Sequence, residues 1–316
     1  WTKGPVKMKK IRIAYFGSPD FSANFLEKLI TDVSINQLID TKLIVTQPDS
    51  PVGRKQILTP TAVSIVAKKA KISVLNDLGF PRRGRVPTGV KNAVSSFLKK
   101  IDLALVYAFG ELIPKELLGL PKYGFWNIHP SLLPKYRGPS PIATPLINGD
   151  ETTGVTIIKM DEEIDHGPII AQQSLTIKKT DKRPDLEKKL TDLAFEMLKK
   201  TVFIKDSLQL KPQNHSLATY TKKLEKSDGF VSLKVLKKAF EGNGAEKIYN
   251  LFRGLYPWPG LWTSIKPIQP TRLDEAKRLK ITDLELVDGK LIIKKVQLEG
   301  KKEVDFKTFN DAYKIF

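Results

Sequence analysis

Asn127 and His129 stand two residues apart at the end of the apolar approach Tyr123-Gly124-Phe125-Trp126. Side chains at i and i+2 of a strand share a face, so both would project into one cleft. An amide N–H beside an imidazole suits acyl transfer, in which an oxyanion must be held while a proton moves. The segment that follows, Pro130-Ser131-Leu132-Leu133-Pro134-Lys135-Tyr136-Arg137-Gly138-Pro139-Ser140-Pro141, is too rich in proline to be a helix and too stiff to drift. An isolated Asn-x-His pair is equally compatible with strand-end side chains bonded to backbone, so the case for chemistry depends on what else the chain brings to this loop.

The elements that must position these residues can be read from periodicity. Ile11–Phe16 is an apolar run ending in Gly17-Ser18-Pro19-Asp20, and Phe21, Phe25, Leu26 and Leu29 recur at helical spacing. Strand, turn and helix in that order open a doubly wound, Rossmann-like α/β sheet. The turn has no G-x-G-x-x-G, so a dinucleotide site is unsupported. A second strand is predicted over 43–46, a Pro- and Gly-rich loop over 47–55, a helix over 59–70 and a short strand over 72–75. Residues 76–89 read as irregular and 90–100 as a modest amphipathic helix. Leu103–Val106 is continuously apolar, as a buried parallel strand is, and 107–114 leaves its carboxyl end, where open α/β sheets bind ligands.

Helical spacing resumes over 141–148, and strands over 153–159 and 169–177 flank a loop that carries Asp165 and His166. A long helix over 185–203 would pack on the sheet. The texture then changes. Helices are predicted over Leu233–Phe240 and Ala245–Leu255, a corner at Pro257-Trp258-Pro259-Gly260, and strands over Leu261–Ile265, 279–286 and 291–298 separated by turn residues such as Asp288-Gly289. A small C-terminal, OB-like β-barrel is the natural reading. The organisation expected is 1–10 as a disordered or artificial N-terminus with Met8 as a natural start, 11–208 as a doubly wound, mostly parallel α/β domain, 209–221 as linker, and 222–316 as the barrel.

Composition narrows the classes. With 316 residues, 41% of them hydrophobic, the chain can bury two cores. It has no cysteine, which removes disulfides, thiol catalysis and cysteine metal sites, and three dispersed histidines leave no metal site expected. No apolar stretch approaches the roughly 18 residues of a membrane span, and no basic-then-apolar leader precedes the first strand; a cytoplasmic enzyme is expected. The formal charge is +19, spread as 32 Lys/Arg against 21 Asp/Glu up to residue 210 and 21 against 13 beyond it. Such a surface rewards a polyanionic partner through counterion release; a lysine-rich bias that keeps the surface soluble explains it equally well.

The motif Asn127-Ile128-His129-Pro130-Ser131-Leu132-Leu133-Pro134, followed by Met160-Asp161-Glu162-Glu163-Ile164-Asp165-His166-Gly167-Pro168, resembles the folate-dependent formyltransferases. Their Asn, His and Asp triad matches Asn127, His129 and Asp165. The resemblance implies 10-formyltetrahydrofolate as formyl donor, and it implies a folate pocket lined by Ser131, Leu132, Leu133 and Pro134 together with Glu111, Leu112 and Ile113. His166 is read as an exposed loop residue, and His215 receives no role.

Within that family, Val45-Thr46-Gln47-Pro48-Asp49-Ser50-Pro51-Val52-Gly53-Arg54 with Leu58-Thr59-Pro60 is similar to the signature of the branch that formylates methionyl initiator tRNA. In that branch the loop reaches the acceptor end, which implies tRNA contact by Arg54 and Lys55. Tyr220-Thr221-Lys222-Lys223-Leu224-Glu225-Lys226 resembles the branch's basic linker and adds Lys222, Lys223 and Lys226. Pro139-Ser140-Pro141 and His166-Gly167-Pro168 depart from the branch's usual residues. The expectation is therefore a monomeric enzyme acting on initiator methionyl-tRNA. A nucleotide-sugar amine formyltransferase is the enzymatic alternative, and an RNA-binding protein on an inactive transferase scaffold the non-enzymatic one.

Overall fold

A computed structural model describes residues 9–53, 55–76, 94–265 and 276–315. The chain divides into two compact units. One runs up to Pro139 and adds Gly154–Leu175 and Lys188–Tyr220; the other comprises Ser140–Thr153, Thr176–Glu187 and Thr221–Phe316.

The first unit is built on a seven-stranded sheet. Its strands are β1 (Ile11–Phe16), β2 (Ile39–Val45), β5 (Val74–Leu75), β6 (Leu103–Val106), β7 (Phe125–His129), β8 (Thr152–Lys159) and β9 (Ile169–Thr176), in the spatial order β5-β2-β1-β6-β7-β8-β9. The pairs β1–β2, β1–β6, β2–β5 and β6–β7 are parallel, and β7–β8 is antiparallel. The chain thus winds outward from β1 to β5, returns to β6, and continues the other way. The crevice between the carboxyl ends of β1 and β6 is the switch point where such sheets accept ligands.

Apolarity that is continuous in β6 and broken in β1 by Arg12 makes these two strands central. Ala14, Phe16, Ala104, Val106 and Phe125 share one buried cluster with Val45 and Leu98, and the Phe16 ring lies 5.5 Å from that of Phe109 and 5.2 Å from that of Phe125. Burying one such side chain stabilises the fold by about 1.5–3 kcal/mol. The helix Asp20–Thr31 presents Ala23, Phe25, Leu26 and Leu29 to the core at the i, i+3, i+4 spacing that defines one helical face. Asp20 in its first turn complements the helix dipole. The helix Ala62–Lys69 starts at Thr61, whose side chain accepts from Ser64 N, as capping requires.

Several boundaries differ from the sequence reading. The strand predicted over 43–46 begins earlier, at Ile39. The loop predicted over 47–55 contains one arm of a small antiparallel hairpin, β3 (Ser50–Val52) against β4 (Ile57–Thr59). Its Pro and Gly content hid a ribbon whose side chains, Val52, Ile57 and Leu58 among them, are exposed. Residues 94–98 are helical; the rest of the stretch 76–93, except Asn76, lies outside the described residues, as does Met8. No helix among the described residues is long and apolar enough to cross a membrane.

In the second unit, β10 (Leu261–Ile265), β11 (Lys277–Val287), β12 (Lys290–Leu298) and β13 (Glu303–Asp305) form one antiparallel sheet in chain order. The helices Leu233–Phe240 and Ala245–Leu255 carry Leu236, Ala239, Ile248 and Phe252 into the cluster beneath it. The register of β11 against β12 shifts around Asp283. That bulge is why the buried residues of β12 run Leu291, Ile293 and then Val296, Leu298 rather than alternating throughout. Asp288 and Gly289, both at positive φ, close the two-residue turn that right-handed strand twist favours. The coarse reading of an antiparallel C-terminal sheet unit stands; β13 and the helix Phe306–Tyr313 were not anticipated.

Candidate active site

β7 carries the first two site residues. Its Asn127 pairs with Val106 of β6 and Ile158 of β8, and His129 with Thr156 of β8. One face of a central strand therefore delivers both side chains, as the spacing predicts. The third arrives from the loop between β8 and β9. Asn127 Nδ2 donates to Asp165 Oδ1 at 3.0 Å, and His129 Nδ1 lies 3.3 Å from the same oxygen. Gly138 N donates to the other carboxylate oxygen at 2.8 Å. Side chains separated by 38 positions thus meet at one carboxylate.

His129 is buried, and its Nε2 lies 2.9 Å from the carbonyl oxygen of Tyr136. Both ring nitrogens face acceptors, and only the doubly protonated ring can donate to both. The side chain of Asp165 is 10% exposed. Burial pushes its carboxyl up, yet the opposing charge and hydrogen bond of His129, the Gly138 N–H and nearby Arg137 together hold it below its ordinary value. The site therefore keeps an anion at neutral pH. Asp165 and Tyr136 both adopt positive φ, 52° and 63°, a conformation uncommon for residues with a Cβ and here fixed by the bonds just described.

The loop 131–134 is anchored to the sheet by contacts the sequence did not signal. Thr156 Oγ1 donates to Ser131 O at 2.7 Å and accepts from Leu133 N at 3.1 Å. Gln172 Nε2 reaches Leu133 O and Thr156 Oγ1, each at 2.8 Å. Ser131 and Leu133 are buried, and the Ser131 hydroxyl is spent on Lys135 O; Leu132 and Pro134 are half-buried. Of the other predicted folate residues, Glu111 and Ile113 are half-buried, with Ile113 packed against the core cluster, and Leu112 is 73% exposed.

Lys55, Lys222, Lys223 and Lys226 are exposed; Lys222 is ion-paired with Asp228. Arg54 lies outside the described residues. His166 is half-buried rather than exposed. Its Nδ1 lies 2.7 Å from Asp161 Oδ2 and its ring stacks on His215 with centroids 3.9 Å apart. The segment read as linker is therefore tied to the Asp165 loop.

The chain belongs to the Formyl transferase family, whose model matches residues 10–202. Among curated relatives, a methionyl-tRNA formyltransferase of Caldicellulosiruptor saccharolyticus is 37% identical over 96% of this chain and 97% of its own length. One of Staphylococcus epidermidis is 37% identical over 88% of this chain and 81% of its own. Among solved structures, HypX from Aquifex aeolicus in complex with tetrahydrofolic acid is similar in fold, with a TM-score of 0.61 at 14% identity over 96% of this chain and 48% of its own.

Proposed function

We propose that this chain transfers the formyl group of 10-formyltetrahydrofolate to the amino group of methionyl initiator tRNA, using Asn127, His129 and Asp165. The relatives' names support the acceptor, and one observation carries the site: the buried carboxylate of Asp165 receives Asn127 and faces His129. The donor set fits such a reaction. Asn127 spends one amide hydrogen on Asp165 and has a second to give. The folate supplies a carbonyl carbon on a nitrogen that can depart.

The balance of the reaction is simple. A bond forms from the methionyl amine nitrogen to the formyl carbon, the carbon–N10 bond breaks, one amine proton is lost, and N10 gains one. Charge gathers on the formyl oxygen between these events. Asn127 N–H is placed to meet it, a contribution of about 3–4 kcal/mol to the barrier for a preorganised donor. His129 in its cationic form raises the electrostatic potential at the same point, which favours the developing oxyanion, and the anionic Asp165 stabilises that cation and accepts the amine proton, directly or through water.

Residues 131–134 and 111–113 at the carboxyl end of β6 would border the folate, Ser131 and Leu133 through backbone groups because their side chains are buried. Arg54, Lys55, Lys222, Lys223 and Lys226 would meet the tRNA. Residues 11–208 would be the catalytic domain, 209–221 the linker and 222–316 an OB-like barrel that binds tRNA, in a monomeric cytoplasmic enzyme. The curated relatives named above lend a sugar-amine acceptor no support. The deciding experiment offers charged initiator tRNA and labelled formyl donor: formylmethionine should form, and its absence with a folded chain would overturn the reading.

A further inference from the structure

We infer that Gln213, braced by Arg137, is a positioning residue that fixes the loop presenting Asp165. The inference rests on the proposed role of Asp165 and extends it to a segment that the sequence marks only as connector.

Gln213 is 6% exposed and Arg137 2%. Gln213 Nε2 donates to the carbonyl oxygens of Asp165 at 2.9 Å and Gly167 at 2.8 Å. Its Oε1 accepts from Arg137 Nη2 at 2.7 Å, and Arg137 Nη2 also lies 2.8 Å from His215 Nδ1. The amide orientation is forced by chemistry, since guanidinium only donates and backbone carbonyls only accept. One planar amide therefore spans both sides of His166 and clamps the residue whose carboxylate forms the site, at a backbone conformation of φ 52° that needs external support.

The same segment braces the other side. Lys211 and Ile169 exchange backbone hydrogen bonds at 2.7 and 2.9 Å. Arg137 N donates to Thr219 O at 2.9 Å, and Tyr136 N to Thr219 Oγ1 at 2.9 Å. Tyr136 is the residue whose carbonyl faces His129 Nε2. Residues 211–219 thus hold the partners of both Asp165 and His129 in one continuous clasp.

Substituting glutamate gives a discriminating test, because Gln213→Glu keeps the volume and the Arg137 contact but turns an anionic oxygen on two carbonyls. Displacement of a reacting group by about 1 Å can cost 10²-fold in rate. Gln213→Glu and Gln213→Met should lower kcat by about 10–10²-fold with KM for the formyl donor changed little. The acid limb of the kcat profile should also move to higher pH as the Asp165 carboxyl is freed from the groups that hold it down. Arg137→Lys, which changes no residue of the Asp165 loop but loosens the brace on Gln213, should move kcat and profile in the same direction, and it carries the test if the Gln213 variants do not fold. A folded Gln213 or Arg137 variant with wild-type kcat and pH profile would overturn the clasp. Asp165→Asn is measured alongside: wild-type turnover there would sink the site reading itself, whereas loss there with unaffected Gln213 variants sinks only this inference.

Discussion

Asp165 is the residue on which the site converges, and its state decides two measurable things. Its carboxyl is buried yet held below its ordinary value, chiefly because burial is outweighed by His129 and Gly138. A carboxyl lower in the folded than in the unfolded chain stabilises the fold above its unfolded value, and the contribution is lost as pH falls through the folded one. Urea midpoints of the wild type should therefore decline on acidification from the ordinary aspartate range downward, and Asp165→Asn should flatten that decline; equal slopes would remove Asp165 from the balance. For rate, Asn127→Ala should lower kcat by about 10²–10³-fold with binding of the formyl donor nearly intact. An unchanged kcat would exclude Asn127 as an oxyanion donor. Asn127 and His129 were legible in the sequence because strand alternation alone places them together. Asp165, 38 positions away from Asn127, was legible only by family resemblance, and Gln213, 48 positions from Asp165, not at all. Side-chain contacts across such separations leave no local periodicity to read.

Between residue and fold, the loop 131–134 is held to the sheet through the Thr156 hydroxyl of β8, with Gln172 of β9 adding a contact to Leu133 O. Thr156→Val keeps the shape of the side chain but leaves the buried Leu133 N–H without its acceptor and Ser131 O without its donor. A destabilisation of about 1–3 kcal/mol is expected, seen as a lower urea midpoint, with a fall in affinity for the folate; a neutral variant would mean that Gln172 and the stiffness of the prolines hold the loop without Thr156. Gly167 is constrained differently, since a Cβ there would sit 1.9 Å from Lys159 O. The elements that carry these loops were readable where packing dictates the pattern. Leu103–Val106 matches its strand end to end because all four residues are buried. Legibility failed where packing is absent. The hairpin β3–β4 has exposed side chains, and β13 is three exposed residues held by pairing to β12. Neither burial nor alternation marks such pieces, which are defined by backbone pairing and, in β13, by the ion pair of Glu303 with Lys295.

Over the whole chain, the charge of +19 makes a prediction separable from the chemistry. If the acceptor is a tRNA, each phosphate neutralised releases counterions, and the logarithm of kcat/KM for the acceptor should fall linearly with the logarithm of salt concentration. A small-molecule acceptor would leave the slope shallow. The lysines of the 222–226 segment divide on structural grounds. Lys222 is held by Asp228, with the carboxylate largely buried and the ammonium exposed, so part of its charge is already offset and its removal should reduce the slope less than the removal of a lysine that projects freely. Lys223 and Lys226 project into solvent, and replacing either with alanine should reduce the slope by about 1 for each phosphate that the side chain neutralises. The turnover of formyl donor at saturating tRNA should remain at the wild-type level in all three variants, because the chemistry is proposed for Asn127, His129 and Asp165. A common slope across Lys222→Ala, Lys223→Ala, Lys226→Ala and the wild type would place the phosphate contacts elsewhere on the basic surface and leave the positive charge near residue 222 as a solubility device.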